Sequence, residues 1–269
     1  TMMAALPPEA TCYEMRAYTY PLVIAMVLGL IFRGVAFEFR WRASAHRAYW
    51  DFAFFAGSIV ATFAQGVMLG AVLQGIHVSG RAYAGGILDW LSPFSLMTGL
   101  SLVAGYALLG ATWLIGKAHG TLQEHARRAA FRLAIATLLG MAAVSAATPF
   151  VSIEYWHRWF EMPGVLFTAQ VPLATIVFSG ILFWSLRSGR ERLPFLISLI
   201  LFALGFIGLA ISIFPYVVPQ ALTIWEAAAP AGSQIFMLVG TVIILPIIVG
   251  YTAWAYYVFR GKAETEGYH

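Results

Sequence analysis

The stretch FAFFAGSIVATFAQGVMLGAVLQG (52–75) decides the fold class. Its 24 residues carry no formal charge, and a helix of that length crosses the roughly 30 Å of a bilayer's hydrocarbon core. Apolar and polar residues do not alternate as they would along a barrel strand. A helix, which satisfies its own backbone hydrogen bonds in lipid, is the form left.

Six further uncharged or nearly uncharged runs extend outward from it, at 19–37, 93–116, 129–150, 164–186, 193–217 and 234–259. The expected fold is an all-α, polytopic membrane bundle of seven transmembrane helices. Composition agrees: 61% of the 269 residues are hydrophobic and 10% are charged, against about 25% charged in a soluble domain. So few charges could not cover a soluble globule of this size.

The charges also set the expected orientation. Arg33, Arg40, Arg42, Arg47, Lys117, Arg127, Arg128, Arg132, Arg187, Arg190, Arg192, Arg260 and Lys262 follow the odd-numbered runs, whereas Arg16, Arg81 and Arg158 lie on the other side. The positive-inside rule then puts the N-terminus outside and the C-terminus in the cytoplasm. All nine tryptophans fall near predicted span ends, where an amphipathic ring prefers the interface. The organisation expected is a periplasmic segment at 1–18, a membrane domain at 19–260 and a cytoplasmic tail at 261–269. Residues 1–18 contain Pro7 and Pro8 and no apolar core of a signal peptide.

Reactive groups are scarce. Cys12 is the only cysteine, so an internal disulfide and a thiolate metal site are excluded. Basic residues are not interleaved with aromatics as a nucleic-acid surface requires, so nucleic acid is not an expected partner. His46, His77, His119, His125, His157 and His269 all lie outside the runs. Met26, Met68, Met97, Met141 and Met237 lie inside them, where a methionine is ordinarily flexible packing. No catalytic, metal or cofactor-binding residue is therefore assigned. A retinal-type protein would need a lysine deep in a helix, and an ion-coupled transporter a buried acid; the runs hold neither.

Arg33 is the charge that stands at membrane depth, near the end of the first run in IFRGVAFEFR (31–40), with Glu38 just beyond. Five residues apart, they sit about 140° apart around a helix and pair poorly with each other. Each is expected to face another helix or another subunit, unless Arg33 is only a topological anchor. Asp51 reads as an acid stabilising the start of the second helix. Within that helix, Gly66 and Gly70 form a Gly-xxx-Gly pair that allows close backbone approach, and Gln65 and Gln74 can hydrogen-bond across a helix interface. Pro215 and Pro219 end the sixth helix and Pro246 kinks the seventh.

In order along the chain, IFRGVAFEFR (31–40), AYWDFAFFAGS (48–58), LGAVLQG (69–75), LSPFSLMTGL (91–100), IFPYVVP (213–219), LTIWEA (222–227) and LPIIVGYTAWAYYVF (245–259) resemble subunit II of the cytochrome bd family of bacterial quinol oxidases. The wording of GVAFEFR and QGxxLG is most similar to the cyanide-insensitive branch. The resemblance implies a non-haem membrane subunit of a complex that oxidises quinol and reduces dioxygen to water. Haem b and haem d are then expected in a partner, subunit I, with a small accessory subunit a further candidate, and with lipid and quinone as neighbours in the bacterial inner membrane. Arg33 and Glu38 match the family's FR-x-x-x-F-[DE]-x-R motif. Together with Asp51 they form the candidate set for a proton path or subunit interface. The family also carries GFDxG-like and WDGNE-like stretches on two earlier helices, and neither string occurs here. A second reading is a stand-alone seven-helix transporter or permease that binds through Gln65, Gln74 and the Pro246 kink; a third is an assembly factor.

Overall fold

A computed structural model describes residues 8–42, 46–75, 78–79, 82–83, 86, 88–162, 164–219, 222–259 and 261, with side chains from residue 19 onward except 78, 79, 82, 83, 166, 167 and 222. His77, Arg81, Arg260, Lys262 and His269, and the side chains of Cys12 and Arg16, lie outside that set.

Among the described residues, seven helices are long and apolar enough to cross a membrane: α1 (Pro8–Arg42), α2 (Arg47–Leu73), α3 (Pro93–Lys117), α4 (Gly120–Val151), α7 (Gln170–Arg187), α8 (Leu193–Ile213) and α9 (Ala231–Val258). Between them lie two short helices, α5 (Ile153–Phe160) and α6 (Gly164–Thr168). Two small antiparallel ribbons pair β1 (Val78–Ser79) with β2 (Ala82–Tyr83) and β3 (Tyr216–Val218) with β4 (Leu222–Thr223). The ribbons fall outside the spans, where water can reach their edges.

Local chemistry explains several boundaries and corrects others. α1 begins well before residue 19, and α4 begins nine residues before 129, its first turns being polar and lying at the basic end. The expected 193–217 run ends as a helix at Ile213, since Pro215 has no backbone N–H to continue the ladder, and the chain turns into β3. The 164–186 run is divided into α6 and α7. α3 starts with Ser92 as N-cap: its hydroxyl accepts from the Ser95 amide (3.0 Å), while the Ser95 hydroxyl accepts from the Ser92 amide (3.1 Å). At the tight turn between α7 and α8, Gly189 takes φ +74°, a region costly for other residues. There the Arg127 guanidinium donates to the carbonyls of Leu186 (2.9 Å), Gly189 (3.1 Å) and Arg190 (3.3 Å), capping the negative end of α7.

Packing centres on a four-helix body of α3, α4, α7 and α8. Its core joins Leu108 and Ile115, Ala126, Ala130 and Ala134, Leu182 and Leu186, and Ile197 and Leu201. In lipid the apolar side chains gain little by leaving the solvent, so close contact between small residues has to supply the association. The three alanines, spaced by four, give α4 such a face. α1 and α2 form a hairpin against α3, and their seam is set by two glycines. A Cβ on Gly29 would lie 2.7 Å from the Gly57 carbonyl oxygen, and one on Gly57 would lie 2.5 Å from that of Gly29.

Candidate functional site

The charged residues at the end of α1 and the start of α2 form one cluster. Arg40 Nε donates to Asp51 Oδ1 at 2.5 Å, and Arg40 Nη2 lies 3.5 Å from Asp51 Oδ2, bridging the two helices. Asp51 lies beyond the first turn of α2, because that helix begins at Arg47. Its role as an N-terminal acid is therefore replaced by an ion pair with Arg40. Both side chains are about half exposed (47% and 52%), so water screens the pair and it is a weak fastening.

Arg33 places its guanidinium 5.5 Å from the centre of the Phe54 ring on α2. Glu38 faces outward and, contrary to the expectation that it lacks a local partner, approaches Arg42 one turn on at 4.0 Å with both groups largely exposed. Arg33 and Glu38 do not meet among the described contacts. Arg40, the last residue of the FR-x-x-x-F-[DE]-x-R motif, was not among the candidates, although it lies about two turns beyond Arg33 and reaches α2.

The α2–α3 seam is tighter. A Cβ on Gly66 would stand 2.7 Å from Gly99 Cα and 2.9 Å from the Thr98 carbonyl oxygen; one on Gly70 would collide with the Thr98 hydroxyl and stand 2.6 Å from Ser95 Cα. Gln74, at the end of α2, accepts from the Ser92 hydroxyl at 2.5 Å and so ties that end to the start of α3. Gln65 is half-buried, and among the described residues it makes no side-chain hydrogen bond to a neighbouring helix. Beside this seam, α2, α3, α4 and α8 enclose an apolar cavity of about 210 Å³, bordered by Leu69, Met141 and Phe202. Its hydroxyls turn back to their own helices: Thr98 donates to Ser95 O (2.7 Å) and Ser101 to Met97 O (2.7 Å).

At the opposite end of the bundle, α5 acts as a strap that the search for long apolar runs passed over. Tyr155 is buried and its hydroxyl donates to the Leu73 carbonyl at the end of α2 (2.9 Å); burial pushes its pKa up to about 12. Arg158 donates to the carbonyls of Ile211 (3.3 Å), Ser212 (2.7 Å) and Phe214, and Trp159 Nε1 donates to the Ser212 hydroxyl (3.2 Å). One turn of polar contacts thereby secures the ends of α2 and α8. The legible signal was Ser152, an N-cap whose hydroxyl accepts from the Glu154 amide. In the LTIWEA loop, the Thr223 amide (2.9 Å) and hydroxyl (2.8 Å) donate to Glu226 Oε2 and hold that carboxyl below its ordinary pKa.

Residues 2–259 match the family described as cytochrome bd terminal oxidase subunit II. The chain belongs to this family. The probable cytochrome oxidase subunit 2 of Haemophilus influenzae is 26% identical over 284 residues, covering 91% of this chain and 74% of that protein. The cytochrome bd-I ubiquinol oxidase subunit 2 of Escherichia coli is 26% identical, covering 92% and 75%. The Bacillus subtilis cytochrome bd ubiquinol oxidase subunit 2 is 26% identical, covering 92% and 74%. In fold, the chain superposes on the bd oxidase from Geobacillus thermodenitrificans with a TM-score of 0.71 at 19% identity, over 92% of this chain and 77% of that one. Subunit II of a terminal oxidase is thus its class, and the transporter reading is set aside.

The family name implies haem in the complex, but among the described residues the histidine and methionine donors are not arranged to hold a haem iron. His46, His119 and His125 stand within two turns of helix ends and His157 lies on the α5 strap, so none faces a second ligand at mid-membrane. No group of three His, Cys, Asp or Glu side chains suited to a metal occurs among the described residues. Met26 and Met68 pack around Leu22, Ala64 and Val67, and Met97 packs against the Leu73, Phe94 and Tyr155 cluster.

Proposed function

We propose that this chain is the haem-free wall of a quinol-oxidising, dioxygen-reducing complex, with haem b and haem d held by a partner subunit. The donor set is the observation that carries the reading: seven spans belonging to an oxidase family contain no histidine or carboxylate at mid-depth. Electrons from quinol, a substrate named in the relatives' descriptions, then pass to oxygen in the partner, and this chain supplies low-dielectric packing and shaped access.

The clustering of Lys117, Arg127, Arg187, Arg190 and Arg192 at one end of the helices supports a cytoplasmic placement for that end and an external N-terminus, in a bacterial inner membrane. The exposed faces of α1 and α9 support contact with the partner subunit, because neither is covered within this chain. Arg33, Glu38 and Asp51 lie at that basic end, on a surface open to the partner. Their role is to orient a polar, proton-carrying path across the subunit contact.

Measuring proton uptake and quinol oxidase turnover in Arg33→Ala, Glu38→Ala and Asp51→Asn tests this role. A several-fold loss of turnover at unchanged haem content is expected. Full turnover with full haem content in all three variants excludes it, and joint loss of haem and turnover reduces the cluster to assembly.

A further inference from the structure

A second cavity, of about 280 Å³, lies at the basic end between the C-terminus of α3, the turn into α8 and the C-terminus of α9. Its walls are of two kinds. Trp113, Phe195 and Tyr256 form an aromatic side, with Trp113 stacked edge-on to Phe195 (4.9 Å) and to Tyr256 (5.8 Å). Lys117, Arg192 and Glu191 form the charged side.

Two of the three charges are oriented by the fold. Lys117 sits 5.1 Å over the Trp113 ring and donates to the carbonyls of Phe259 and Gly261 (2.9 Å for the latter), which fixes the ammonium at the mouth and leaves its third N–H for another acceptor. Glu191 accepts from Gln123 Nε2 at 3.0 Å, and the same amide donates to the Ile115 carbonyl at 2.8 Å, so the carboxylate is tethered toward α4. Arg192 precedes α8 and is exposed. Among the described residues that line it, two cations stand with one acid, so the lining is positive.

We propose that this cavity binds the headgroup phosphate of an anionic phospholipid, with Lys117 and Arg192 on the phosphate and the first acyl carbons against Trp113, Phe195 and Tyr256. The amphipathic construction matches that ligand: a cationic rim at headgroup depth and an aromatic floor below it. A positive lining meets the negative charge of a phosphodiester. The end of α9, joined to α3 here through Lys117 and the Trp113–Tyr256 contact, is thereby steadied by lipid as well as by protein.

Native mass spectrometry of the purified oxidase complex, delipidated in detergent and then titrated with dioleoyl phosphatidylglycerol, dioleoyl phosphatidylcholine or inorganic phosphate, tests the assignment. Retention of phosphatidylglycerol over phosphatidylcholine is expected, weakened about fivefold in Arg192→Gln and about thirtyfold when Lys117→Gln is added. Lys117→Arg keeps the charge and is expected to keep the lipid, even if the end of α9 shifts. Equal binding of both lipids, unchanged binding in Arg192→Gln, or displacement of the lipid by equimolar phosphate overturns the proposal. So does subunit dissociation in Arg192→Gln with lipid content unchanged, which would assign the cavity to a protein partner. Haem content and turnover, recorded on the same samples, keep this result separate from the oxidase reading.

Discussion

α8 and α9 are similar as sequences and differ as parts of the molecule. Both are long and uncharged, α8 rich in Leu, Ile and Phe and α9 in Ile and Val. Yet α8 buries Pro194, Ile197, Ser198, Leu201 and Ser212 against its neighbours, whereas α9 buries nothing among its described residues, with Phe236 81% exposed. Hydropathy places a helix in the membrane, but shape places it against a neighbour. Small residues and paired polar ends fasten the body, and α9 is left with a surface for something outside this chain.

The most severe test of that contrast is a pair of glycines. Gly70→Val drives a side chain into Thr98 and Ser95, and a cost of about 3 kcal/mol is expected, read as loss of the chain and of intact oxidase spectrum from membranes. Gly240→Ala on α9 meets nothing within 4 Å in this chain and is expected to leave abundance unchanged. Equal damage from the two would show that α9 is as closely packed as the body.

Arg158→Ala ranks next. It frees the carbonyls that end α8, at about 2 kcal/mol, and hydrogen exchange is expected to rise across residues 209–214 while the basic end is unaffected. Uniform protection in the variant would remove α5 as a strap.

Tyr155→Phe is expected to cost about 1 kcal/mol through the lost bond to Leu73. Its pH dependence has a definite sign. The folded hydroxyl keeps its proton up to about pH 12, whereas the unfolded one ionises near 10. The contribution is therefore complete below about pH 10 and is lost as pH rises toward 12. Melting of wild type and variant at pH 9 and 11 checks this, with the wild type losing more.

Smallest is Asp51→Asn, for which melting is expected to stay close to that of the wild type because the pair with Arg40 is exposed. A large change in melting would make the pair a structural fastening and weaken its assignment to turnover.

How much of this was legible in the sequence depends on which physical signal each feature leaves. Runs of uncharged residues such as 52–75 announce spans, and the order of motifs from IFRGVAFEFR to LPIIVGYTAWAYYVF announced the family. Gly66 and Gly70 were visible because four-residue spacing is itself the signal. Gly29 and Gly57 were not, since they meet across two helices and share no local spacing. The Arg40–Asp51 bridge was hidden for the same reason: each residue had a sufficient local reading until the α1–α2 hairpin brought them together. The α5 strap is too short for a hydropathy search, and its value lies in carbonyls that only the fold leaves unpaired.

The function proposed for this chain requires above all that it hold no haem of its own. Separating the subunits of the purified complex under mild denaturation and recording the visible spectrum of each tests it most directly. The account predicts haem b and haem d bands with the partner and none with this chain; a haem band that stays with this chain would contradict it.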